Sequence, residues 1–308
     1  MSILINHETR VLIQGITGRE GRRVTSELLD YQVKVVAGVT PGKGGQEIDT
    51  VPVFNSVAEA TKGVGPVDVA MVYVPPLLVY EAAMEAIEVL ATQGLALQGY
   101  GEPMIHIFGE KVPVFDTVRI LAQASKKGVR VLGPASVGAI SPGEAKIGSI
   151  GGPNPDAVFS RGPVGIISRS GGMCSELGML ITNGGFGQST VVGIGGDLLV
   201  GTTFGDLLLE FEKDSQTKAV VGFGEVGGLG EIEAANLIKE GKFTKPFIVY
   251  LAGKFAESLP KDTALGHAGA IVGLEATMKD KIRILKDAGA ILAENFEEIP
   301  GLIKKTLG

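Results

Sequence analysis

The sequence predicts an α/β protein made of two doubly wound halves, and three observations predict it. Short apolar runs alternate with segments of helical periodicity along the chain. Glycine-rich turns follow several of the apolar runs directly. The alternation breaks once, in the turn-rich stretch from Gly133-Pro134 to Pro142-Gly143, and then restarts. A chain of 308 residues has room for two domains of ordinary size.

In the first half, residues 11–14, 34–37, 67–74, 104–108 and 130–132 read as buried strands. Between them, residues 19–30, 79–90 and 117–127 space their apolar residues as helices do. Strands that alternate with helices form a parallel sheet covered on both faces. In the second half the strands are 164–168, 190–194, 219–223, 247–251 and 290–293, and the helices 174–182, 204–213, 231–240, 278–288 and 296–307. The weakly patterned run 91–103 reads as a loop insertion. The two domains are expected at 1–134 and 135–308.

The composition narrows the function classes. Apolar residues make up 44% and charged residues 20%, which suits a well-cored soluble chain. A net charge of −6 argues against a general nucleic-acid or anionic-membrane surface. One cysteine, Cys174, excludes an internal disulfide and fits a reducing, cytoplasmic compartment. Early in an expected core helix, it reads as structural rather than as a catalytic thiol. No signal peptide and no membrane span are expected.

The chemistry gathers in glycine loops. Gly15-Ile-Thr-Gly18-Arg-Glu-Gly21 follows the first strand and opens the first helix, so bare amides and the helix dipole can hold a phosphate. The spacing is not Gly-x-Gly-x-x-Gly, and the second strand ends Val36-Ala37-Gly38 without the carboxylate that a dinucleotide ribose requires. It runs instead into Thr40-Pro41-Gly42-Lys43-Gly44-Gly45. Lys43 there suits an additional phosphate such as the 3′-phosphate of coenzyme A, or is a solvated turn lysine. In the second half, Arg169-Ser170-Gly171-Gly172 again places glycine amides at a helix start. Asp197 and Glu225 each follow a strand, at the end of the sheet where ligands bind. Either could cap a helix, and Glu225 could orient a histidine.

Only three histidines are present. His106 lies in an apolar strand and reads as a packed side chain, and His7 has ordinary surroundings. His267, in Leu265-Gly266-His267-Ala268-Gly269, has small residues on both sides and can be reached as a nucleophile. The alternative is a polar histidine in a glycine loop.

Taken in order, the runs 15–21, 38–45, 142–148, 168–171, 193–197, 224–228 and 266–271 resemble the α subunit of succinyl-CoA synthetase and its relatives. Those relatives include citryl-CoA synthetase and the matching part of ATP-citrate lyase. The resemblance covers nearly the whole chain. It implies a Rossmann-like domain that binds coenzyme A, followed by a flavodoxin-like ligase domain. The coenzyme A contacts it implies are Thr17, Gly18, Arg19, Glu20 and Lys43, with Glu110 and Ser136 carried over from runs that depart from the family pattern. His267 would be phosphorylated by ATP with Mg²⁺, held on a separate ATP-grasp β-type subunit. Glu225 would hold His267, and Ser170, Gly171 and Gly172 would receive the phosphate.

The departures separate branches of the family. Ser168-Arg-Ser-Gly-Gly-Met173, Gly133-Pro-Ala-Ser-Val-Gly138 and the run 239–246 look like the citrate-using branch. Residues 39–45 look more like succinyl-CoA synthetase. The expected enzyme is therefore an acid–CoA ligase subunit that uses citrate, with succinate second. A non-catalytic CoA- or redox-sensing protein would need neither the histidine loop nor the second glycine-amide helix. A nicotinamide oxidoreductase would need the missing carboxylate.

Overall fold

The computed structural model describes residues 2–93, 102–260, 263, 265–271 and 276–308. Most of the expected 91–103 insertion, residues 94–101, lies outside the described residues. Two seven-stranded sheets carry the fold.

The first sheet takes β1 (Arg10–Gln14), β2 (Lys34–Val39), β3 (Glu47–Ile48), β4 (Val51–Phe54), β5 (Val69–Val72), β6 (Met104–Ile107) and β7 (Arg130–Leu132). Their order is β3-β4-β2-β1-β5-β6-β7, and only the β3–β4 pair is antiparallel. Without the two-residue edge strand β3, this is the order of a dinucleotide-binding Rossmann sheet, with its switch point between β1 and β5. Helices α1 (Arg19–Asp30), α2 (Val57–Val64), α3 (Val79–Leu90) and α4 (Val114–Lys127) cover it. β5 and β6 are buried at every position, as strands covered on both faces must be.

The second sheet takes β8 (Gly138–Ser141), β9 (Ala145–Gly148), β10 (Arg161–Ser168), β11 (Gln188–Gly193), β12 (Ala219–Gly224), β13 (Phe247–Leu251) and β14 (Ile291–Ala293). The order is β14-β13-β12-β10-β11-β8-β9. Its five parallel strands have flavodoxin-like order, with the switch point between β10 and β12. Helices α5 (Gly171–Asn183), α6 (Phe204–Lys213), α7 (Gly230–Lys239), α8 (Met278–Ala288) and α9 (Ile299–Leu307) flank it.

The sequence reading misses two pieces. The β3–β4–α2 segment is short, and its helix is only eight residues long. The turn-rich stretch after residue 133 forms the antiparallel hairpin β8–β9, not a bare turn. The glycines that made it look like a loop are needed there: a Cβ on Gly138 would lie 2.0 Å from the Ile147 carbonyl oxygen.

Polar contacts join the halves. His106 Nε2 on β6 lies 2.9 Å from the Ser136 carbonyl oxygen, and the Tyr31 hydroxyl accepts the Gly143 amide at 2.9 Å. Lys146 on β9, fully buried, faces Glu27 of α1 at 3.6 Å. Burial pushes the His106 pKa down to about 4, so it is a neutral packed side chain, as its apolar strand suggests.

Candidate active site

The ends of β10, β11 and β12 meet at the switch point of the second sheet, and the loop carrying His267 folds over them. Leu265 and Ala270 close that loop, with the Leu265 amide donating to the Ala270 carbonyl at 2.8 Å. The Gly269 amide donates to the Gly196 carbonyl at 2.9 Å and ties the loop to the turn after β11. Glycines permit this approach. A Cβ on Gly196 would sit 2.8 Å from the His267 ring, and one on Gly269 would sit 2.3 Å from Arg169 Nη2.

His267 Nδ1 lies 2.8 Å from Glu225 Oε2. A carboxylate at that distance accepts the Nδ1 proton, so the neutral ring keeps its lone pair on Nε2. The same hydrogen bond raises the His267 pKa against the opposing effects of burial and Arg169. The other Glu225 oxygen, Oε1, is 3.3 Å from Arg169 Nε. Arg169 Nη2 donates to the Asp197 carbonyl at 3.2 Å. One carboxylate thus bridges an imidazole and a guanidinium, both taken from other loops. Glu225 caps no helix: α7 begins after Leu229. The Asp197 carboxylate accepts the Lys111 amide at 3.4 Å, and burial raises its pKa.

The pocket, about 220 Å³, is lined by His267, Arg169, Asp197, Glu110 and the start of α5 at Ser170, Gly171 and Gly172. α5 begins with Ser170 as its N-cap, and the Ser170 side chain makes no cap hydrogen bond. The first amides of the helix are therefore available to an anion. Gly171 packs so tightly that a Cβ would lie 2.2 Å from Val137, whereas a Cβ on Gly172 would meet open space.

A second cleft, about 430 Å³, opens at the switch point of the first sheet. Thr17 and Gly18 line it together with Val39, Tyr73, Val74 and Leu78. Gly15 turns the chain at φ +80°, where a Cβ would strike the Tyr73 carbonyl oxygen at 2.4 Å. Largely apolar walls beside a helix N-terminus fit a pantetheine arm and a diphosphate. The Arg19 side chain is 94% exposed and pairs with Glu20, so neither is committed to the core. Lys43 is exposed on a loop held by Asn55, whose Oδ1 accepts the Gly42 and Gly44 amides at 3.0 Å.

Two coenzyme A candidates lie elsewhere. Glu110 lines the His267 pocket instead of the first cleft. Ser136 is buried, its hydroxyl donating to the Gly193 carbonyl at 2.6 Å and accepting the Gly138 amide at 3.0 Å. The clefts are neighbours even so. Tyr73, in the wall of the first, stacks at 4.7 Å on Phe108, two residues before Glu110. Cys174 is buried, and burial pushes its thiol up to about 12, which fits a structural role. Sequence reasoning missed Arg169 as the partner of Glu225. Its place in the Ser168–Gly171 run was the available signal.

Comparison with known proteins defines the class first. Residues 6–95 match the CoA binding domain family and residues 167–291 match the CoA-ligase family. The chain is thus a coenzyme A ligase component of two α/β parts. Over 308 residues it is 39% identical to the succinate–CoA ligase [ADP-forming] subunit alpha 1 of Archaeoglobus fulgidus, covering 100% of this chain and 99% of that one. It is 38% identical to subunit SauD of an ADP-forming sulfoacetate-CoA ligase from Bilophila wadsworthia, covering all of both chains. A solved ATP citrate lyase variant from Methanosaeta concilii, in complex with (3S)-citryl-CoA, superposes with a TM-score of 0.86 at 25% identity. That match covers 99% of this chain but 50% of the lyase chain, so this chain spans half the lyase's length. The chain belongs to the family of succinate–CoA ligase α subunits.

Proposed function

We propose that this chain is the coenzyme A-binding, phosphohistidine-carrying subunit of an ATP-dependent, ADP-forming acid–CoA ligase that acts on citrate in the cytoplasm. An ATP-grasp β-type subunit supplies the nucleotide and Mg²⁺. The division between the coenzyme A part and the ligase part falls at residues 134 and 135.

The observation that carries this reading is the 2.8 Å contact between His267 Nδ1 and Glu225. It leaves Nε2 as the nucleophile beside the amides of Gly171 and Gly172. Nε2 attacks the γ-phosphorus of ATP, the bond to the bridging oxygen breaks, and ADP leaves. The imidazolium character of phosphohistidine is balanced by Glu225, and the new phosphoryl charge by the N-terminus of α5. A carboxylate oxygen of the acid then attacks phosphorus and releases His267. The thiolate of coenzyme A attacks the acyl phosphate, and inorganic phosphate departs. The Tyr73–Phe108–Glu110 wall is a short route for that thiol from the first cleft.

Citrate is supported by the room beside Gly172 and by the likeness to a lyase solved with citryl-CoA. Succinate is the second reading, favoured by full-length relatives at 39–40% identity. The test pairs the purified chain with its β-type subunit, ATP, Mg²⁺ and coenzyme A, and measures thioester formed from citrate, succinate, malate and sulfoacetate. Radiolabel from ATP should sit on His267, acid-labile and base-stable. Label that survives His267→Asn would overturn the phosphohistidine reading. Ready turnover of succinate with none of citrate would overturn citrate and leave the ligase chemistry standing.

A further inference from the structure

Beneath the His267–Glu225 pair lies a buried ion pair that no step above uses. Lys281 on α8 and Glu231 on α7 are 0% and 1% exposed at their side chains, and their charges meet at 2.7 Å. Burying two charges is costly unless every donor and acceptor is matched. Here the matching falls on one target. Lys281 Nζ donates to the Glu225 carbonyl at 2.8 Å and to the Gly227 carbonyl at 2.6 Å. Glu231 Oε1 accepts the Glu225 amide at 3.1 Å. Both backbone polar groups of Glu225 are therefore held by this pair. Lys281 also stands on the helix that follows the His267 loop in the chain. One cation thus fixes the end of β12 to the element that carries on from the histidine.

We infer that Lys281 and Glu231 form a positioning clamp, holding the Glu225 carboxylate at the distance that orients the His267 ring. The clamp acts through Glu225 and touches no substrate. Its role in turnover rests on the phosphohistidine reading, but its effect on the imidazole does not.

The groups facing His267 from the elements around it are Glu225 after β12, Arg169 after β10, Asp197 after β11, and Glu110 and Lys111 after β6. Of these, Glu225 makes the hydrogen bond that raises the imidazole pKa. The informative variant is the double substitution Lys281→Met with Glu231→Leu. It keeps the net charge and fills the space, so it should fold. His267 is one of three histidines, so its ring can be followed by NMR titration of the full-length chain labelled in histidine. In the double variant its pKa should fall by about one unit, because the Glu225 carboxylate is no longer held against it. His106, buried on β6 and remote from the clamp, should be unaffected. Glu231→Gln, which keeps the acceptor for the Glu225 amide, should recover part of the shift. A His267 titration unchanged in a folded double variant would overturn the clamp. In that case the pair serves folding alone, whatever the outcome of phosphorylation assays.

Discussion

The two clefts sit at equivalent switch points of two similar sheets, yet they are built from opposite materials. The first is a turn of glycines with largely apolar walls; the charges that line it are the carboxylates of Glu81 and Glu85, and the cations beside it, Arg19 and Lys43, are exposed and outside its lining. The second is a close assembly of buried or half-buried charges: Arg169, Glu225 and His267, with Lys281 and Glu231 beneath. A site that only binds phosphates can leave its cations mobile, because water screens them at little cost. A site that forms and breaks a bond to phosphorus must fix its groups beforehand, since reorganisation would add to the barrier. Electrostatic changes should therefore act strongly in the second cleft and weakly in the first.

Glu225→Gln should produce the largest effect of this kind. The amide matches the shape but carries no charge, and it can present an N–H where His267 needs an acceptor. Phosphorylation should slow by roughly a hundredfold or more, as loss of a histidine's orienting carboxylate does elsewhere. The pH profile supplies the sign. Glu225 raises the His267 pKa, and the proposed mechanism uses the neutral ring as nucleophile, so on that mechanism the wild-type rate falls as pH drops through the raised value. In the variant this acid limb should move to lower pH. A fall in rate with an unmoved acid limb would separate Glu225 from the titration of His267.

Sterics allow a sharper contrast. Gly196→Ala brings a Cβ to 2.8 Å from the His267 ring. The ring must shift, and a displacement near 1 Å can cost about a hundredfold in rate. Coenzyme A binding, measured by calorimetry, should be untouched. Gly15→Ala should do the reverse, since its Cβ would strike the Tyr73 carbonyl at φ +80°. It should remove coenzyme A binding while the partner still phosphorylates His267. If either variant damages both functions equally, the clefts are coupled more tightly than their separate construction implies.

The same division explains what the sequence could tell. The parallel strands and most helices announce themselves in local periodicity, and residues 19–30, 79–90, 204–213 and 278–288 match α1, α3, α6 and α8. The glycine turns are legible because a backbone constraint is local. The β8–β9 hairpin is not, because its glycines serve contacts across strands. In the second cleft, His267 stands out by its neighbours alone. Glu225 is suggested by its place after a strand. Arg169, Lys281 and Glu231 are invisible as a set, since their pairings span 50 or more residues in two cases, Lys281–Glu231 and Arg169–Glu225. The placement of Glu110 is equally illegible: its run resembles a coenzyme A contact, and the turn after β6 puts it in the lining of the His267 pocket.

Substrate choice tests the open side of the second cleft. Gly171 is packed against Val137, but a side chain on Gly172 would occupy empty space in the pocket. Gly172→Thr should fold, and should reduce kcat/KM for citrate more than for succinate. The expected discrimination is about 1–3 kcal/mol, the value of one buried polar contact. Equal losses for both acids would mean that the room beside Gly172 does not select the acid.

The smallest expected effect belongs to Lys43. Its loop is ordered by Asn55 and by the Thr40 carbonyl, which accepts the Lys43 amide at 3.0 Å, but the side chain itself is exposed. Ordering the backbone while leaving the ammonium in water is a way to offer a charge to a ligand without first desolvating it. A charge-assisted contact of that kind, screened on one side, contributes about 1 kcal/mol. Lys43→Ala should therefore weaken coenzyme A binding roughly tenfold or less. If the partner is the 3′-phosphate, dephospho-CoA should bind wild type and variant alike. Raising the salt concentration should narrow the gap between wild type and variant for coenzyme A, because exposed charges are screened within a Debye length. Equal losses for coenzyme A and dephospho-CoA would place Lys43 on the diphosphate instead.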